Sequence, residues 1–410
     1  MELSDPLTLP GGTVTGAEVL AELPGELAVI CFDLLRVVHA FAADGGASGW
    51  YDPALISSWE EELLVGDIDE GLRAPVCVAL RQLVDPTATD VNLLSKACLL
   101  VSEWALERKA DRTSLAFTRA AALAWPSNPR LAYLTGRRYG SALLYRDADL
   151  WLRRSARVAL WYGDAETYAH ALTSLGMLHY RQGGYPKARA FLGRAAKIAK
   201  RHALRTLEGE IYHNRFTVAF ISGEQGDVED YARNAFERYL PSHHRLPALA
   251  YDVAYYWLTI GRVARAFDVF THLQPFFPEP QQKFQVLSAA ARAAGALQDR
   301  PAFQRLWREA SVAELSLPAN STLPAALIDL AYGAAHLADW EHAESALRRA
   351  LDFATASGGM DDRIKAEDGL AAVRRGENPD PITVLHHAGS NARRNDDLAA
   401  HLARHFAGRS

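Results

Sequence analysis

Few residues in this chain carry the types and spacing that bond-making chemistry needs. His243-His244 and His386-His387 are adjacent pairs in loop-like sequence. Neighbours on a chain rarely converge on one ion, so solvated surface histidines are expected rather than a metal site. Glu60-Glu61-Glu62 reads as a solvated helix face. Cys31, Cys77 and Cys98 are odd in number, far apart and each set in an apolar stretch. That suits small buried hydrophobes in a reducing, cytoplasmic compartment, not a disulfide framework. The motifs GxxxxGKS/T, GxGxxG, HExxH, CxxC and GxSxG do not occur, so no cofactor, metal or catalytic residue is expected, and the chain reads as a non-enzyme. What remains is recognition chemistry. Arg137, Arg181 and Arg292 can take carboxylates through paired hydrogen bonds. Tyrosines and phenylalanines can supply rigid contact area with a polar handle.

These residues sit at recurring places because the elements that hold them recur. Leu134 to Ala159 and Ser174 to Ala199 align throughout. A glycine in the first helix (Gly136, Gly176) precedes an alanine in the second (Ala148, Ala188), then come Trp151-Leu152 and Phe191-Leu192. Each copy closes on Ala-x-x-Ala. Further copies carry Ala219 and Tyr231, then Ala254, Ala266 and Phe270, then Ala291, Phe303 and Trp307, then Ala331, Ala343, Leu347 and Ala350. An earlier copy spans Asn92 to Trp125 and exits through WPSNP. The second-helix markers Ala148, Ala188, Tyr231, Ala266, Phe303 and Ala343 are separated by 40, 43, 35, 37 and 40 residues. Small residues let paired helices approach closely, and a larger one three or four places on fills the gap to the next pair. A lone hairpin cannot bury its apolar face, so the copies must stack.

Leu175-Gly176 with Tyr180, Gly183-Gly184-Tyr185, Ala188, Leu192 and Ala195 resembles a tetratricopeptide repeat. Ala331, Trp340, Ala343, Leu347 and Ala350 resemble another, and the likeness covers roughly residues 90–357. The longer, degenerate copies are similar to the extended repeats of bacterial signalling proteins and transcription regulators. The resemblance implies an all-α, right-handed superhelical solenoid with helical N- and C-terminal caps. It also implies a protein- or peptide-binding adaptor. The alternative it implies is a peptide- or ligand-sensing regulator that passes a signal to an effector or the transcription machinery.

In stacked hairpins the first helices line the inner wall. Counting helical phase from the small markers gives Tyr133 and Arg137; Thr173, Met177 and Arg181; His213, Phe216 and Phe220; Tyr251 and Tyr255; Gln285, Ser288 and Arg292; and Ile328, Tyr332 and His336 as groove residues. The expected occupant is a protein or peptide, and homo-oligomers stay open. The Lys and Asn places of repeats that clamp a C-terminal carboxylate have no match here, so that clamp is not carried over.

The ends differ from the middle. Residues 1–90 hold sixteen Asp or Glu and three Lys or Arg, a net of −13, which leaves +8 for the remainder of a chain whose net is −5. That balance repels duplex DNA and disfavours direct nucleic-acid contact. The first twelve residues lack the basic start and apolar core of a signal peptide, and no apolar run reaches membrane-spanning length. Helices are predicted over Leu20–Ala43, Pro53–Val65 and Leu72–Leu83, then Asp361–Arg374, a linker over 376–381, and an amphipathic helix over Arg394–Phe406. The expected division is a cap over 1–88, an array over 89–357, and a capping helix, linker and terminal helix over 358–410.

Overall fold

The computed structural model describes residues 17–23, 25–44, 53–65, 68–224, 226, 228–315, 317, 323–382 and 392–407. His386-His387 and the first twelve residues lie outside them. Every regular element among the described residues is a helix, as Ala, Leu and Arg richness favours. The chain divides into two compact units, 1–211 and 212–410.

Unit 1 opens with α1 (Ala17–Glu22), α2 (Gly25–Asp44), α3 (Pro53–Val65) and α4 (Glu70–Leu83). Antiparallel pairs follow: α5 (Val91–Glu107) with α6 (Asp111–Ala124), α7 (Pro129–Ser141) with α8 (Tyr145–Tyr162), and α9 (Ala165–Arg181) with α10 (Tyr185–Arg201). Helix α11 (Arg205–Ile221) runs through the boundary between the units. Packing within the pairs uses the small markers. A methyl added at Gly136 would sit 2.7 Å from the Leu152 side chain, and one at Gly176 would sit 2.8 Å from Leu192. The N-terminal helices close this unit: α2 packs on α6 and α4 on α5. Helix α6 has no side-chain cap of its own. Glu22 serves instead, accepting from Arg112 N at 3.0 Å and Thr113 N at 2.7 Å, so a carboxylate meets the positive helix end.

Unit 2 contains α12 (Val228–Arg238), the pairs α13 (Leu246–Thr259) with α14 (Val263–Leu273), α15 (Pro280–Ala296) with α16 (Arg300–Glu314) and α17 (Leu323–His336) with α18 (Trp340–Ser357), and then α19 (Met360–Arg374) and α20 (Ala392–Ala407). Ala266, Phe303 and Ala343 are buried as the repeat requires. Helix α12 departs from the register. Tyr231 lies under the Arg215 guanidinium, 4.2 Å from the ring centre, while Ala232 takes the fully buried place. An aromatic ring is too large for a seat that a methyl fills. Helices α15 and α17 touch backbone to backbone. A methyl on Gly295 would strike the Gly333 carbonyl, and one on Gly333 would lie 2.7 Å from the Ala291 carbonyl oxygen. Only glycine at both places permits that approach.

Most turns between successive helices end alike. A residue in the left-handed region follows the helix, and the next amide donates five residues back. Gly183, Gly223 and Gly261 hold that place, but so do Lys109, Leu143, Ala203, Gln298 and Ala338. The bonds include Gly184 N to His179 O at 2.8 Å, Leu144 N to Tyr139 O at 2.9 Å and Asp299 N to Ala294 O at 2.9 Å. Asp299 and Asp339 then cap α16 and α18 with their carboxylates. Helix α20 packs against α14, with Leu398, Leu402 and Phe406 buried and Phe406 edge-on to Phe276 at 4.8 Å. Among the described residues no helix is long and apolar enough to cross a membrane.

Candidate binding site

In unit 2 a cavity of about 280 Å³ opens among the first helices of the pairs. Phe216 and Phe220 from α11, Tyr251, Asp252 and Tyr255 from α13, and Asp329 from α17 line it, with Gln285 of α15 at its side. Helical spacing explains the walls. Phe216 and Phe220 are four apart, as are Tyr251 and Tyr255, so each pair shares a face. The Tyr251 and Tyr255 rings lie 5.9 Å apart and nearly parallel. Tyr256 meets Phe216 and Phe220 edge-on at 5.8 and 5.4 Å and backs them. The described lining residues include two carboxylates and no Lys, Arg or His.

The floor is ionic. Asp329 accepts from the Tyr255 hydroxyl at 3.2 Å and from Arg292 Nη1 at 2.8 Å, both on Oδ1. Arg292, from α15, turns its other edge to Asp380. Its Nε donates to Oδ2 at 2.8 Å and its Nη2 to Oδ1 at 2.7 Å, a two-pronged grip. His336 Nε2 lies 3.0 Å from Asp380 Oδ2. Asn378 fixes the histidine: its Oδ1 accepts from Asp380 N at 3.0 Å, so its amide nitrogen faces His336 Nδ1 at 3.0 Å. That directs Nδ1 to accept and Nε2 to donate toward Asp380. The side chains of Arg292 and Asp329 are 6% exposed and that of Asp380 is fully covered. Burial alone would lower the Arg292 pKa, but the two carboxylates reverse this and raise it. Burial would push Asp380 up, yet hydrogen bonds from His336 and Arg292 hold its carboxyl at about 2. Asp329 goes the other way, since burial lifts it in spite of Arg292.

The predicted groove residues fall into two groups. Phe216, Phe220, Tyr251 and Tyr255 come together around the cavity, and Arg292, Tyr332 and His336 surround its ionic floor, with the Arg292 guanidinium 5.0 Å over the Tyr332 ring. Phe216 and His213 are buried rather than presented. His213 lies 2.9 Å from Asp252 Oδ2, a carboxylate whose side chain is 37% exposed. In unit 1, Tyr133 faces His170 at 5.5 Å with Arg137 over its ring at 5.8 Å. Thr173 bonds back to Ala169 O at 2.8 Å, Met177 is half-buried, and exposed Arg181 reaches Gly140 O at 3.4 Å. These five do not line the cavity that opens in unit 1 among Leu150, Tyr168, Leu172 and Phe191 beside Arg153 and Arg194.

The carboxylates Asp252, Asp329 and Asp380 escaped the reading of the sequence. Asp329 had a signal: a charge inside the apolar run ALIDLAYG must find a partner, as must Arg292 inside an alanine-rich helix. Arg292, expected to take a carboxylate from a partner, is met on both edges of its guanidinium by carboxylates of the chain itself. The physical reason is that a cation this deeply buried cannot stay unpaired.

No family model matches the sequence, and no curated protein matches it. Among solved structures, a signal transduction ATPase with numerous domains and a tetratricopeptide repeat sensor, from Pyrococcus horikoshii, is similar at a TM-score of 0.54 and 11% identity. The match covers 92% of this chain and 61% of that one, so the chain spans about three fifths of its length. This likeness shows the fold, an array of tetratricopeptide-type helical pairs. The Rap conjugation gene regulator of the plasmid pLS20 in complex with the Phr* peptide aligns at a TM-score of 0.43, with 12% identity over 85% of this chain and 94% of that one. A Rap protein complexed with competence and sporulation factor aligns at 0.34, with 10% identity over 85% and 98%.

Proposed function

We propose that the chain is a non-enzymatic binding module whose unit 2 takes an extended peptide of a partner protein. One observation carries this: a cavity walled by Phe216, Phe220, Tyr251 and Tyr255 over the carboxylates Asp252 and Asp329. Ring faces attract cations, and a carboxylate can only accept hydrogen bonds. The cavity therefore suits the ammonium or guanidinium end of a peptide side chain, with the apolar stem along the rings. Burial of the three described cysteines, and thiols pushed up to about 12 at Cys31 and Cys98, support a reducing, cytoplasmic setting. The test is selection of displayed peptides on the full chain, which is expected to enrich Lys or Arg. Replacing Tyr251 and Tyr255 together by Ala should weaken a selected peptide more than tenfold with helicity intact. An unchanged dissociation constant would remove the proposal.

A second reading is that binding is sensed and relayed to an effector. The buried contact between Arg292 and Asp380 favours it, because Asp380 stands on a non-helical segment that peptide binding next door can disturb.

A further inference from the structure

Residues 377–382 cross the ends of α15 and α17 as a strap, and the strap is held mainly by two side chains. Glu377, Asn378 and Pro381 are exposed, whereas Asp380 and Ile382 are buried. Asp380 does what a ligand carboxylate does at an arginine: both oxygens meet two nitrogens of one guanidinium at 2.7 and 2.8 Å. His336 adds a contact to one oxygen and the Ile382 amide donates to the other at 3.1 Å. Arg292 is not short of a counter-ion without it, since Asp329 already pairs with Nη1. The pair Arg292–Asp329 is neutral, and Asp380 makes the cluster anionic. A second buried carboxylate is thus surplus to charge balance, while its geometry is that of a filled recognition site.

The seat adjoins the cavity. Asp329 lines the cavity and bonds Arg292 through the same oxygen that meets Tyr255. A group in the cavity and a carboxylate on Arg292 are therefore separated by one aspartate side chain. We propose that Arg292 and His336 form a carboxylate-binding site for the incoming peptide, and that Asp380 is the chain's own stand-in, which the peptide carboxylate displaces. The inference rests on the cavity as the peptide's seat. The ligand class follows: a basic residue whose neighbouring carboxylate, such as a peptide C-terminus, reaches Arg292.

The probes are acetyl-Gly-Gly-Lys with a free C-terminal carboxylate, its C-terminal amide, and the carboxylate peptide with norleucine for lysine, titrated against the full chain. Wild type is expected to bind acid and amide equally, because Asp380 holds the seat. Asp380→Asn leaves the Arg292–Asp329 pair neutral and should bind the acid at least tenfold tighter than the amide. Hydrogen exchange at the Ile382 amide should quicken at least tenfold in that variant, with α15 amides unchanged. Asn378→Ala, an exposed change that frees His336, should give the same preference at about threefold if Asp380→Asn fails to fold. Equal affinity for acid and amide in both variants overturns the proposal, as does strap exchange that stays locked to that of α15. The norleucine peptide separates the two readings: lost lysine preference sinks the basic-side-chain cavity alone, and lost acid preference sinks the carboxylate seat alone.

Discussion

The pair α9–α10 in unit 1 and the neighbours α15 and α17 in unit 2 use glycine for opposite ends. Gly176 lets a leucine side chain, Leu192, settle onto its helix, so the contact belongs to one hairpin. Gly295 and Gly333 bring two first helices of successive hairpins into backbone contact. First helices α15 and α17 pack together far more extensively than α7 and α9 do. The difference explains where a site can arise. Backbones drawn that close place Arg292 and Asp329 side by side, out of water, where an ion pair is strong and a missing partner is costly. Unit 1 keeps its predicted groove arginines, Arg137 and Arg181, exposed, where ion pairs contribute little.

The sharpest break of that contrast is Arg292→Met. It leaves Asp329 and Asp380 buried without their cation and should cost unit 2 about 3–5 kcal/mol in urea denaturation. Arg181→Met should stay within about 0.5 kcal/mol. A loss below about 1 kcal/mol for Arg292→Met would mean the floor is wet and weakly coupled. Next in size, Gly333→Ala forces two backbones apart and should cost about 2–4 kcal/mol, against about 1 kcal/mol for Gly176→Ala, where a leucine can shift. Equal effects, measured by the same unfolding curves, would erase the distinction between the two glycine roles.

The hairpins themselves were legible in the sequence. Glycine and alanine spacing located Gly136, Gly176, Ala148 and Ala188, and each proved to be a contact that a larger residue would spoil. Turns were legible where glycine marked them and where Asp299 and Asp339 announced the next helix. Leu143, Gln298 and Ala338 take the same left-handed conformation with side chains that give no hint of it. The cavity walls were half legible, since four-residue aromatic spacing shows in any sequence, whereas burial depends on which helix packs opposite. Asp380 could not be read at all: NPDP looks like a solvated linker, and only the tertiary fold carries it 88 residues back to Arg292.

The smallest expected effect separates the units by acid. Burial and nearby Arg119 hold the His39 ring in unit 1 down at about 4, and neither ring nitrogen has a hydrogen-bond partner among the described residues. A histidine whose folded pKa is depressed below about 6.5 binds its proton more readily when unfolded. Its contribution to stability is therefore whole above that pH and falls away as pH drops toward 4. Asp380, held at about 2, is also depressed, but its contribution is whole above about 4 and is lost only below. Between pH 6.5 and 4 the protection factors of α2 amides should therefore fall while that of the Ile382 amide holds. The reverse order would show that the strap, not His39, is the acid-labile part.

The turn clasp has a consequence for how such a chain grows. Its closing bond joins an amide to a carbonyl five residues earlier, and no particular side chain takes part. Helices from 13 to 18 residues long can end in it, as α7 and α18 do. A duplicated hairpin spliced into the gene arrives with its own fastening, and neighbouring copies can diverge in sequence without losing their joints.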